Sequence, residues 1–77
     1  MSTTHLFSND RYAKTWNRLS SNLEHINTIH ALLEARGRAE GYALGLLDVG
    51  EISPAQHQEL LAMVKMSADQ RAKLLRA

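Results

Sequence analysis

The groups in this 77-residue chain with reactive side chains are four histidines, eight carboxylates and a scatter of serines; cysteine is absent. His5, His25, His30 and His57 include no pair at the i, i+4 spacing that sets two imidazoles on one helix face. No carboxylate completes a recognisable ligand set. Without cysteine there is no disulfide, no thiolate for zinc or iron–sulfur, and no sulfur nucleophile. Ser8, Ser53 and Ser67 stand where helices start, so capping accounts for them. Gly37, Gly41 and Gly45 are spaced for a helix face, not for a phosphate-cradling turn after a strand. The expectation is a protein with no catalytic residues, no cofactor and no metal.

Composition narrows the class further. The length allows one domain, and a chain this short buries roughly 60% of the surface its unfolded form exposes. Disulfides being excluded, helix packing or self-association must support the core. The net charge is +1, without the basic excess typical of a nucleic-acid-binding domain. The longest apolar stretch lies near residues 43–47, far short of the ~20 residues a membrane helix needs. Met1-Ser2-Thr3-Thr4-His5 has neither a basic start nor an apolar core of the secretory kind. These features predict a cytoplasmic protein with no membrane contact.

The elements that would position any site are helices. Strand signals are missing, because no run alternates cleanly and β-branched and aromatic residues are sparse. One helix starts at Ser8 or Asn9. With Ser8 as cap, Phe7 and Tyr12 take the two positions of a hydrophobic staple, and residues 1–7 form a disordered or loosely docked N-terminus. A second starts at Ser53-Pro54-Ala55-Gln56. There Ser53 caps, Pro54 takes the first helical position and Gln56 completes a capping box. Ser67-Ala68-Asp69-Gln70 repeats the box and predicts a short last helix over about 68–76. Acid-then-base pairs at Asp10–Lys14, Glu34–Arg38 and Asp69–Lys73 support helix throughout.

Tyr12, Trp16, Leu19, Leu23, Ile26, His30 and Leu33 are spaced 4, 3, 4, 3, 4, 3, the seam of a helix packed along another. Because the phase holds through Ser20-Ser21-Asn22, the spacing predicts one helix over about 9–49. It would kink or break, if anywhere, near 20–22 or at Gly37. Such a helix spans about 60 Å. Helices over about 54–66 and 68–76 are too short to cover it, so the seam would be an exposed self-association or partner surface. His30 on that seam reads as a buried polar residue that fixes register. Gly37, Gly41 and Gly45 form one row, and Ala31, Ala35, Ala39 and Ala43 another on the opposite face. Each helical glycine costs about 1 kcal/mol relative to alanine, which points to close helix packing there; the alternative is that Gly37 ends a helix as its C-cap.

Leu44-Gly45-Leu46-Leu47-Asp48-Val49-Gly50-Glu51-Ile52-Ser53-Pro54-Ala55-Gln56 resembles the bacterial short C-terminal (SHOCT-like) helical hairpins. An apolar helix end there runs into Asp-x-Gly-x-Ile-Ser and a new helix start. His57 stands where those hairpins carry an aromatic residue. The likeness covers about twenty residues and implies a local hairpin, not a function.

The sequence therefore reads as all-α: a long first helix, two short ones and a single helical domain over 8–77. The expected role is a non-catalytic protein-binding module, an adaptor or stoichiometric inhibitor of a larger protein. It would self-associate as a homodimer through Tyr12, Trp16, Leu19, Leu23, Ile26, His30 and Leu33. Small helical proteins of this type are often carried by phages and plasmids. The alternative is a small dimeric nucleic-acid-binding regulator that gathers Arg36, Arg38, Lys65, Arg71, Lys73 and Arg76 onto one face. Against it, Glu34, Glu40, Asp48, Glu51, Glu59 and Asp69 are interspersed among them.

Overall fold

A computed structural model describes residue 7 and residues 9–76. The described residues form three α-helices: α1, Asp10–Asn22; α2, Ile29–Asp48; and α3, Pro54–Arg76. A 3-10 turn, Leu23–His25, follows α1. Among the described residues there is no strand.

Asn9 caps α1. Its backbone is extended, and its side-chain oxygen accepts from the Arg11 N–H at 2.8 Å. Ser8, the other candidate cap, lies outside the described residues, as do residues 1–6. With the cap at Asn9, the staple positions move by one residue, so Phe7 and Tyr12 do not occupy them. Phe7 is instead buried with the main core.

The continuous helix expected over 9–49 does not form. α1 ends at Asn22, its last turn tightens into the 3-10 turn, and Ile26 is extended (φ −72°, ψ 138°). Thr28, also extended, opens α2 by accepting from the Ala31 N–H at 3.1 Å. The break falls at 26–28, not at 20–22 or Gly37, and α2 runs through Gly37 without interruption. The heptad phase concealed it because His30 and Leu33 keep the same spacing beyond the bend, although there both side chains are exposed. A helix end inside a small domain leaves carbonyls without helical partners. Arg71 answers this from α3: its Nε donates to the Ile26 carbonyl at 2.7 Å and its Nη2 to Asn27 Oδ1 at 3.4 Å.

The α2–α3 turn follows its capping chemistry closely. The Gly50 N–H donates to the Leu47 carbonyl at 3.1 Å and the Glu51 N–H to the Leu46 carbonyl at 2.9 Å. This is a Schellman motif, and it requires the left-handed backbone that Gly50 adopts at φ +76°. The Ser53 capping box closes in both directions, with the Ser53 N–H on Gln56 Oε1 at 2.7 Å and the Gln56 N–H on Ser53 Oγ at 3.1 Å. α3 then continues as one helix of 23 residues. The expected split at Ser67 is absent. Leu60, Val64 and Ala68 form an unbroken buried row, and a second start at Ser67 would interrupt that row where it packs on α2.

α2 and α3 are antiparallel, since Ile29, Leu32 and Leu33 line a groove together with Ala68, Ala72 and Arg76. α1 lies along the pair, its Ser20 and Ser21 beside Met63 and Met66 of α3 and its Arg18 and Leu19 beside Arg38 of α2. One cluster joins Trp16, Leu23, Leu60 and Val64, the largest fully buried side chains, to Ala35, Ala39 and Ala43. The indole N–H of Trp16 is buried without a hydrogen-bond partner among the described residues, a cost of about 1–3 kcal/mol.

Of the two small-residue rows of α2, the alanines face inward and the glycines outward. Gly37, Gly41 and Gly45 are exposed, and a Cβ built on any of them meets nothing within 4 Å. The close packing of these glycines expected from their spacing is therefore absent within the chain. The ion pairs also differ from the expected set. Glu34 pairs with His30 at 2.7 Å rather than with Arg38, and Arg36 pairs with Glu40 at 3.3 Å.

Two measurements check this packing. Arg71→Leu removes both bonds to the 26–28 linker and is expected to cost about 1–2 kcal/mol, with amide exchange accelerating first around residues 26–31. Gly37→Ala and Gly41→Ala, at open helical positions, are each expected to stabilise the folded chain by about 0.5–1 kcal/mol in urea unfolding. A destabilising result would contradict the outward orientation of the glycine row.

Candidate functional site

The bend at 26–28 decides where the predicted surface goes. Once α1 folds back on the hairpin, the heptad seam divides. Trp16 and Leu23 are completely buried, while Tyr12, Leu19 and Ile26 are half-buried and pack against the core. These five form the inner face of one subunit, not a surface awaiting a second. His30 and Leu33, beyond the bend, face solvent. The His30 side chain is 88% exposed and paired with Glu34, so it is not the buried register residue its heptad position predicted. Leu33 is 62% exposed.

The other candidate ligands do not converge. His25 sits in a shallow recess with Arg18 and Arg38, and His57 is half-buried in the first turn of α3. His5 lies outside the described residues. Among the described residues, no three His, Asp or Glu side chains are grouped to hold a metal ion. Among the described residues, no helix is long and apolar enough to cross a membrane.

What the surface does carry is apolar. Leu33, Leu44, Val49, Met63, Met66 and Leu74 are large hydrophobic side chains left exposed. Five of them belong to two helix faces, and Val49 stands in the turn after α2. Met63, Met66 and Leu74 lie along the outer side of α3, off the Leu60-Val64-Ala68 row. Met63 and Met66, with Ala62, form one wall of a groove of about 560 Å³; the other wall is polar, made by Asn17, Ser20, Ser21 and Glu24. Leu33 and Leu44 lie on the outer side of α2 with the glycines.

Sequence reasoning missed the methionine face. Dividing α3 at Ser67 hid it, because Met63, Met66 and Leu74 share a side only when the helix is continuous. The signal was present in the i, i+4 spacing of Leu60, Val64 and Ala68, which runs straight through Ser67. Arg71 was read as a candidate phosphate contact, whereas its guanidinium is engaged by the linker.

Comparison of the chain with protein-family models, with characterised proteins and with solved structures found no match.

Proposed function

We propose that the protein is a non-catalytic protein-binding module, an adaptor or stoichiometric inhibitor that engages a larger protein through the outer face of α3. The observation that carries this reading is the exposure of Met63, Met66 and Leu74, at 37%, 63% and 65%, on one face of a chain with little core to spare. Methionine is flexible and polarisable, and it adapts to apolar partners of differing shape. The groove beside it pairs an apolar wall with a polar one, which suits the apolar side of a partner helix with a polar rim around it. The buried Trp16 and Leu23 support the face rather than forming it.

Met63→Asp with Met66→Asp tests the reading, because both positions are exposed and the fold should survive, as checked by circular dichroism. The wild-type chain, used as bait in an extract of its source organism, is expected to retain one protein in near-stoichiometric amount. The double variant is expected to lose it. Equal retention by both would remove α3 as the binding face.

A second reading has one observation in its favour. Arg18, Arg38 and His25 line the same recess between α1 and α2, where a phosphate would find two cations. If duplex DNA binds there, fluorescence anisotropy should give an affinity falling with log salt at a slope of about −0.9 per phosphate neutralised, and Arg18→Ala with Arg38→Ala should flatten that slope. Binding that ignores salt would exclude it.

A further inference from the structure

The outer side of α2 carries residues of matching kind on either side of its midpoint. Ile29, Leu33, Arg36, Glu40, Leu44 and Leu47 are spaced four, three, four, four and three residues apart. At about 100° per residue they fall within an arc of about 80°. Counted outward from Arg38, Ile29 mirrors Leu47 and Arg36 mirrors Glu40, while Leu33 mirrors Leu44 to within one residue. The mirrored polar positions carry opposite charge. A two-fold interface requires this pattern, because residue i must meet residue j while j meets i.

The stripe is available within the fold. Leu33 and Leu44 are 62% and 50% exposed. Arg36 and Glu40 reach each other at 3.3 Å along the helix, with side chains 30% and 38% exposed. Gly37 and Gly41 lie beside the stripe with nothing within 4 Å of a Cβ position, so a second backbone can come close. At the N-terminal end of the stripe, a groove of about 310 Å³ opens between α2 and α3. Leu32, Ala68 and Ala72 line it, and Arg36, Lys73 and Arg76 share its rim with one carboxylate, Asp69. The other end of the stripe finishes at Leu47, half-buried in the last turn of α2.

We propose that a second copy of this chain packs antiparallel on this stripe, α2 against α2, about a two-fold axis that crosses the stripe midway between Arg36 and Glu40. Leu44 and Leu47 of each copy then enter the groove beside Leu33 of the other. Arg36 of each faces Glu40 of the other. The contact is modest. A helix face about 30 Å long and about 10 Å wide covers about 300 Å² per copy, below the roughly 800 Å² per partner of a standard stable interface. The dimer is therefore concentration-dependent and each subunit folds on its own. This inference stands apart from the partner-binding reading, since Met63 and Met66 lie off the stripe.

Sedimentation equilibrium from micromolar to millimolar concentration tests it, with circular dichroism confirming that each variant is folded. The wild-type chain is expected to pass from monomer to dimer, and Leu44→Asp to remain monomeric. Arg36→Glu alone places two carboxylates opposite each other across the axis, and Glu40→Arg alone places two cations there. Each should weaken self-association about tenfold or more. An equimolar mixture of these two variants restores opposite charge at both mirrored contacts and is expected to associate as a heterodimer at least as tightly as the wild type. That recovery depends on contacts between chains, because within each variant the helical pair stays like-charged. A wild-type chain monomeric at millimolar concentration, a dimer indifferent to Leu44→Asp, or a mixture no tighter than its components would each overturn the proposal.

Discussion

The alanines at 35, 39 and 43 give α2 a narrow inward strip, and both other helices close over it. Alanine offers little area of its own to bury, so the strip contributes mainly by letting larger neighbours approach. Trp16, Leu23, Leu60 and Val64 fill the space above it and are completely buried. Area removed from water contributes roughly 25 cal/mol per Å², so these four side chains, together with the nearly buried Phe7, Leu32, Leu46 and Ile52, supply the main apolar contribution of the core. The arrangement carries a penalty at Trp16, whose indole brings a polar N–H into the core without a partner among the described residues.

Closing over that strip requires two bends of different kinds. The one at 49–53 is local: a left-handed glycine, a Schellman pair of hydrogen bonds and a capping box, all within eleven residues from Leu46 to Gln56. The bend at 26–28 is not. Thr28 caps α2, but the Ile26 carbonyl is taken by Arg71, 45 residues away in sequence. The first bend belongs to its own segment of chain, whereas the second is completed only when α3 is in place.

This difference moves the candidate surfaces. A straight helix would have presented its seam to solvent; a bent one turns Trp16 and Leu23 inward and leaves the outer sides of α2 and α3 as the apolar faces without cover. Both proposed contacts, a partner helix on the methionine face and a second copy on the α2 stripe, follow from where the helices bury their other sides. A three-helix unit of this size covers one face of each helix and leaves the remainder to solvent or to partners.

Much was legible from residues alone: the helical class, the turn at 48–53 with Gly50 and Ser53 in their roles, and the start of α3 at Pro54. Each rests on hydrogen bonds spanning five residues or fewer, so the nearby sequence specifies the geometry. The glycine and alanine rows were visible as rows, but which faced inward was not, since spacing gives a face and not its neighbour. Ser67 shows the opposite error: a sound capping box was overridden because the Leu60-Val64-Ala68 row packs on α2 across it. The bend at 26–28 was the costliest omission. Asn27 and Thr28 are turn and cap residues, yet His30 and Leu33 prolong the heptad past them in phase although neither is buried. Local chemistry determined where helices can start and stop; only packing between distant segments decided which of those signals were used and which apolar faces remained outside.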